Sequence, residues 1–140
     1  MQLRNVLFLA FLAVLTGCSA DYAGLRRGKD FYPDLAALKA DNVEGRDYSS
    51  EFYNRGSSVT VFAIHGGDIE LSTSRLARRI ADRDLNLYIF NGWLGAESGR
   101  LHITAARFDE PEAVRLAASS MLGISIHAQA EPGRCVCVGG

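Results

Sequence analysis

The segment VFAIHGGDIE, at positions 61–70, places metal-binding side chains directly after an apolar run. His65 ends the run, and Asp68 and Glu70 follow a pair of glycines. A second apolar run, in ISIHA, ends at His127. Imidazole nitrogen and carboxylate oxygen are zinc ligands, and a catalytic zinc usually has three protein ligands and one open position. Two histidines and one of the two carboxylates could supply that set.

The same residues also have a structural interpretation. A Gly-Gly pair after a strand is common turn chemistry. Glu70, near the start of the next helix, could simply complement the helix dipole. Alternatively, the two glycines allow a sharp backbone turn that brings Glu70 back towards His65. Periodicity alone leaves both interpretations open, and it leaves Asp68 as an alternative to Glu70.

The elements that would position these residues follow from the hydrophobic pattern. Helical spacing predicts three helices, at 34–45, 72–83 and 109–123, and residues 46–58 are predicted to form a loop or an edge strand. Apolar, β-branched runs predict strands at 58–64, 86–90, 100–105 and 124–128, with a fifth in 135–140. We expect Leu76 and Ile80 to face the core in the second helix, and Val114, Ala117 and Met121 in the third.

The alternation of strands and helices predicts a layered α/β fold around a mainly parallel or mixed sheet. Ligand sites in such sheets lie beyond the carboxyl ends of the strands. His65 and His127 each follow a predicted strand. Two of the three histidines in the chain therefore occupy the position where this fold builds a site.

Composition limits the classes of function. The chain has 140 residues, of which 48% are hydrophobic and 22% charged, as expected for one globular domain. The formal net charge of −1 provides no general basic surface, so we expect no nucleic-acid partner. No segment after residue 20 is long and apolar enough to span a bilayer.

The N-terminal segment has the pattern of a secretory signal, with one early arginine, an apolar run and then small residues. Its LTGC tetrapeptide resembles a bacterial lipobox, which implies cleavage before Cys18 and attachment of lipid to its sulfur. The alternative is an ordinary signal cleaved after Ala20. We expect an exported protein, either an envelope lipoprotein of the outer membrane that is held to the membrane by its lipid, or a secreted protein.

These features predict a division of the chain into three parts. Residues 1–17 form the lipoprotein signal peptide, residues 18–33 form a linker or arm, and residues 34–140 form the α/β domain. Cys135 and Cys137 stand two apart near the end of that domain, close to the outer limit of disulfide reach. We expect them to be ordinary strand residues, with a disulfide as the second interpretation.

Several sequence blocks together resemble a known family. HGGDIE, STSRLARRIA, LHITAARFDEPEA, ISIHA and VCVGG resemble, in order and spacing, the zinc-dependent poly-γ-glutamate hydrolases of bacteria and phages. The resemblance covers about residues 30–140. It implies a three-layer α/β/α fold similar to that of zinc carboxypeptidases, with a mixed, mostly parallel central sheet. It also implies a zinc cofactor and, as substrate, poly-γ-glutamate or a related γ-glutamyl peptide.

The resemblance assigns roles to particular residues. The family's zinc ligands match His65, Glu70 and His127, which favours Glu70 over Asp68. Where the family motif usually has a third glycine, this chain has Asp68. Family members continue beyond the VGG block, and their general-base carboxylate is expected after the position of Gly140. The resemblance thus implies that the C-terminal part of the domain is missing.

Two functions follow from these expectations. The first is a zinc-dependent hydrolase of amide bonds in a γ-linked glutamyl polymer. The alternative is a non-catalytic, truncated envelope lipoprotein that binds a metal or a polyanionic or peptide ligand.

Three further residues are candidates for substrate binding. His102 lies in the predicted third strand, where it could contact substrate or be a hydrogen-bonded sheet residue. Arg107 and Arg115 flank the FDEP segment, and either could bind a substrate carboxylate through two hydrogen bonds.

Overall fold

The structure is a computed structural model that describes residues 30–128, 136, 138 and 139. Its α-helices are α1 (Leu35–Asp41), α2 (Thr73–Ala81) and α3 (Pro111–Ser119). Its strands are β1 (Tyr48–Tyr53), β2 (Val59–Gly67), β3 (Asn86–Gly92) and β4 (Leu122–Ser125). Two 3-10 helices, Gly95–Leu101 and Ala105–Arg107, lie between β3 and α3.

The four strands form one mixed sheet in the order β1-β3-β2-β4. β2 is parallel to both β3 and β4, whereas β1 is antiparallel to β3. The predicted mixed, mostly parallel sheet is therefore confirmed. β1 lies at one edge, in the segment for which the sequence left a loop or an edge strand open.

Helices cover both faces of this sheet, as a three-layer fold requires. Alternate side chains of β2 and β3 belong to separate cores, because successive residues of a strand point to opposite faces. The core on the α2 side contains Val61, Ala63, Leu87, Ile89, Ala77 and Ala81. The core on the other side includes Ile64, Tyr88 and Phe90 together with Leu35 and Leu38 of α1 and Ala113 and Leu116 of α3.

A β-bulge near the end of β2 changes the direction of one side chain. The pairing of β2 with β3 shifts between Ala63 and Gly66, so Ile64 and His65 together oppose a single residue of β3. Strict alternation would place His65 on the α2 side, with Ala63. The extra residue returns it to the opposite face, where it contacts Ile103 in the larger core.

The predicted apolar face of α2 is wrong. Leu76 and Ile80 are exposed, whereas the buried side of the helix carries small residues, including Ala77 and Ala81. Small side chains let the helix lie close to the two central strands, so the larger apolar residues are left on its flank.

The predicted apolar face of α3 is also wrong. The buried residues are Ala113 and Leu116, while Val114 and Met121 are exposed. The helix begins at Pro111, and its N-cap residue Glu110 forms an ion pair with Lys39 of α1. The buried face of α3, which packs into the larger core, therefore lies one residue away from the predicted phase.

The predicted strand at 100–105 is absent, and residues 102–104 instead form an extended link between the two 3-10 helices. Burial of Leu101 and Ile103 produces the alternating pattern of a strand. Two backbone groups of the link bind side chains and not a neighbouring strand. The Thr104 N–H donates to Asp30, and the Ile103 carbonyl accepts from His65.

The structure describes few residues near the two ends of the chain, so it tests few of the predictions made for the linker, the fifth strand and the cysteines. Asp30 and Tyr32, assigned to the linker, are buried, so the packed domain extends further towards the N-terminus than residue 34. Val136 and Val138 have no regular secondary structure, so the fifth strand is not observed there.

Cys18, Cys135 and Cys137 lie outside the described residues. Among the residues that are described, no helix is long and apolar enough to cross a membrane.

Candidate metal centre

Three of the predicted site residues converge at the carboxyl end of β2. His65 Nδ1 lies 2.9 Å from Glu70 Oε1 and 3.1 Å from His127 Nδ1. His127 Nδ1 in turn lies 3.4 Å from Glu70 Oε2. One ligand atom from each residue falls within 4.8 Å of the others, a spacing that could hold a metal ion. We call this group the His–Glu–His cluster.

The environment of His65 fixes which ring nitrogen faces the cluster. The ring is buried, and its Nε2 lies 2.9 Å from the carbonyl oxygen of Ile103. A carbonyl oxygen can only accept, so Nε2 carries the proton and donates it. Nδ1 is therefore the ring nitrogen that faces the cluster, and a metal would bind it once the proton that it shares with Glu70 has left.

Glu70 is held as an anion between the two histidines. Burial raises its pKa, but hydrogen bonds with His127 and His65 and from the Ala128 N–H outweigh burial and lower it to about 2. The hydrogen bond with Glu70 also raises the pKa of His127 above its usual value. The carboxylate thus remains ionised, and available as a ligand, throughout the neutral pH range.

The glycine pair makes the turn that brings Glu70 back to His65. The Glu70 N–H donates to the His65 carbonyl at 2.9 Å, which closes the turn. Gly67 has a φ of +65°, and a Cβ there would collide with the carbonyl oxygen of Gly92. The Gly67 N–H donates to Ser74 Oγ at 3.0 Å, so the start of α2 also holds the turn.

The structure brings His102 to the cluster, although not as part of a strand. Its ring stacks on that of His65 with the centroids 4.0 Å apart. Its Nδ1 donates to Asp30 Oδ1 at 2.9 Å. Arg107 forms an ion pair with the same carboxylate, so it lies close to His102.

Arg115 lies elsewhere. It forms an ion pair with Glu112 at 2.7 Å, and its guanidinium lies 6.0 Å from the ring centre of Phe52. Phe52 pairs with Tyr88 in the first half of β3, whereas the cluster lies beyond the other end of the parallel strands. The structure therefore does not place Arg115 at the cluster.

Comparison with known proteins identifies the family of this fold and site. The sequence profile of the poly-gamma-glutamate hydrolases matches residues 32–140. The chain belongs to the poly-gamma-glutamate hydrolase family. This confirms the resemblance drawn from the sequence blocks, and it does not favour the non-catalytic alternative.

Individual members of the poly-gamma-glutamate hydrolase family support the assignment. UPF0714 protein YndL of Bacillus subtilis (strain 168) is 36% identical over 138 residues, which are 99% of this chain and 52% of YndL. The SPbeta prophage-derived protein YoqZ of the same strain is 36% identical over 111 residues, 79% of this chain and 40% of YoqZ. The chain spans about half the length of the curated relatives it matches.

Two solved structures share the fold. A bacteriophage poly-gamma-glutamate hydrolase superposes with a TM-score of 0.67 at 34% identity, covering 69% of this chain and 47% of the phage protein. A zinc-free structure of YndL superposes with a TM-score of 0.65 at 37% identity, with the same two coverages. The predicted α/β fold class is confirmed by these matches. The roles of individual residues in metal or substrate binding stay predictions.

Asp68 is not part of the cluster in this member of the family. Its side chain is exposed, and its Oδ2 accepts from the Gly95 N–H at 3.3 Å. It therefore cannot replace Glu70 as a ligand without a change in the turn.

This difference between Glu70 and Asp68 gives a direct test. Glu70→Gln should weaken zinc binding by at least about 10-fold, because an amide lacks the charge that a hard oxygen ligand supplies. Asp68→Asn, the matched control, should leave zinc affinity unchanged. Competition with a chromophoric chelator measures both, and equal loss in the two variants would contradict the assignment of Glu70.

Sequence reasoning missed several residues that support the site. Asp30 holds His102, the Ile103 carbonyl holds His65, and Ser74 and Asn91 support the glycine turn through a 2.6 Å hydrogen bond between their side chains. A serine near a helix start that follows a glycine pair is a weak signal for such support. No sequence pattern around Asp30 predicts that it supports the site.

Proposed function

We propose that this domain binds zinc through His65, Glu70 and His127 and belongs to an enzyme that hydrolyses amide bonds in poly-γ-glutamate or a related γ-glutamyl peptide. The observation that carries the proposal is the convergence of two imidazole nitrogens and one carboxylate within 4.8 Å of one another. Family membership supports the proposed reaction class and substrate class.

The residues of the cluster fit a catalytic zinc. Two nitrogens and one carboxylate form a donor set that catalytic zinc sites use. His65 is buried and has a fixed tautomer, whereas His127 is exposed, so the cluster is open to solvent on one side. When bound, zinc polarises a carbonyl oxygen and acidifies a coordinated water.

The protein's own groups hold this arrangement and bind the substrate. His127 is oriented through its second nitrogen, since Nε2 lies 3.0 Å from Ser125 Oγ. A γ-linked glutamyl polymer has a free α-carboxylate on every residue. Arg107 is half exposed beside His102, and we propose that it attracts one of these carboxylates.

The base that takes the proton from water is not assigned to a described residue. We expect this carboxylate in the part of the relatives that the match does not cover. Because the chain spans about half the length of its relatives, hydrolysis by this 140-residue chain is itself part of the proposal.

The experiment combines metal analysis with polymer degradation. The purified chain should contain about one equivalent of zinc. It should also shorten poly-γ-glutamate, as measured by size-exclusion chromatography, and chelator treatment should stop the reaction. Poly-α-glutamate is the matched polymer, with the same charge and a different linkage, and should remain intact. Absence of zinc would reject the metal site; bound zinc with an unchanged γ-polymer would reject hydrolysis by this chain.

A further inference from the structure

Asp30 is a buried anion outside the cluster. Its carboxylate is fully buried, and Oδ1 accepts from His102 Nδ1 at 2.9 Å. The other oxygen accepts from the Thr104 N–H at 2.8 Å and also pairs with Arg107. Burial raises the pKa of Asp30, but these hydrogen bonds outweigh burial and hold the pKa below its usual value.

These contacts fix the backbone on both sides of Ile103. Asp30 binds His102, the residue before Ile103, and Thr104, the residue after it. The carbonyl of Ile103 itself accepts from His65 Nε2 at 2.9 Å. The direction of this carbonyl sets the tautomer of His65 and the direction of its Nδ1. Asp30 also holds the His102 ring that stacks on His65.

We infer that Asp30 is a positioning residue for the metal centre, acting through the Ile103 carbonyl on His65. Among the described residues, its hydrogen bonds go to the 102–107 segment and none goes to a member of the cluster. A side chain from the segment before α1 therefore controls the direction of a ligand 35 positions later in the chain. The inference rests on the metal-binding part of the proposed function.

The test compares Asp30→Asn with a matched control, Asp47→Asn. Asp47 is also buried, and it also accepts from one backbone N–H, that of Val43, and pairs with one arginine, Arg46. Both variants lose one charge and keep the side-chain shape. Zinc affinity is measured by chelator competition, folding of the zinc-free protein by circular dichroism, and ligand geometry by the visible absorption bands of bound Co²⁺.

Asp30→Asn should weaken zinc binding by about 10–100-fold and shift the Co²⁺ bands, because the carbonyl no longer holds His65 in one direction. Asp47→Asn should leave both measurements unchanged. A folded Asp30→Asn protein with wild-type zinc affinity and wild-type Co²⁺ bands would show that Asp30 only ties the N-terminal segment to the domain, and the inference would fail.

A second measurement applies even where Asp30→Asn does not fold. Nitrogen-15 NMR of the zinc-free wild-type protein should show His65 with its proton on Nε2, because the Ile103 carbonyl accepts it. A His65 ring without a proton on Nε2 would overturn the inference, because the Ile103 carbonyl would then have no donor. A wild-type protein with this tautomer but without affinity for zinc would instead reject the proposed function.

Discussion

His65→Ala is expected to reduce bound zinc from about one equivalent to less than about a tenth. His65 is the central member of the cluster, since its Nδ1 lies within hydrogen-bond distance of both other ligands. Its removal leaves a two-ligand site and also leaves the Ile103 carbonyl without its donor. Metal content after dialysis, measured by mass spectrometry, checks the result.

The matched control for His65→Ala is His102→Ala. His102 is stacked on His65, but it is not one of the three residues that form the cluster. Its alanine variant should keep about one equivalent of zinc at saturation, although with lower affinity. If His65→Ala retains zinc while His102→Ala loses it, the assignment of the ligands is wrong.

Gly67→Ala is expected to destabilise the domain by about 2–5 kcal/mol and to abolish zinc binding. The left-handed φ of +65° costs a residue with a Cβ about 1–2 kcal/mol. The collision of the new methyl group with the Gly92 carbonyl adds about 1–3 kcal/mol. Because Gly67 lies between His65 and Glu70, relief of the collision would move the two ligands apart.

Gly45→Ala separates the cost of the positive φ from the cost of the steric collision. Gly45 also has a positive φ, of +82°, but an added Cβ there meets no atom within 4 Å. The free energy of unfolding of this variant should fall only by the cost of the positive φ, about 1–2 kcal/mol, and the variant should bind zinc normally. Urea denaturation measures both variants, and equal destabilisation by the two substitutions would contradict a steric role for the Gly67–Gly92 contact.

The sequence alone could predict the parts of this molecule that depend on local pattern. β2 and β3 are continuous apolar runs because both of their faces are buried. Parallel strands end at the same edge of a sheet, so the proximity of His65 and His127 follows once β2 and β4 are paired. The position of the cluster could therefore be inferred before any coordinates.

The parts that the sequence could not predict depend on contacts between distant segments. The Leu101 and Ile103 alternation is typical of a strand, but two backbone groups of that link bind side chains from elsewhere in the chain. The bulge at His65 is defined only by its register with β3. Asp30 is buried against His102, which lies 72 positions away, and such a distant contact leaves no local pattern in the sequence.

The distance along the chain between two members of the cluster has a thermodynamic consequence. His65 and His127 lie 62 positions apart, and β4 must pair with β2 before their nitrogens meet. A zinc ion bound to both would act as a cross-link that closes this loop, and closing a loop of that length is worth about 4 kcal/mol in chain entropy. Zinc occupancy would therefore control how often the β4 edge of the sheet opens, as well as the chemistry of the site.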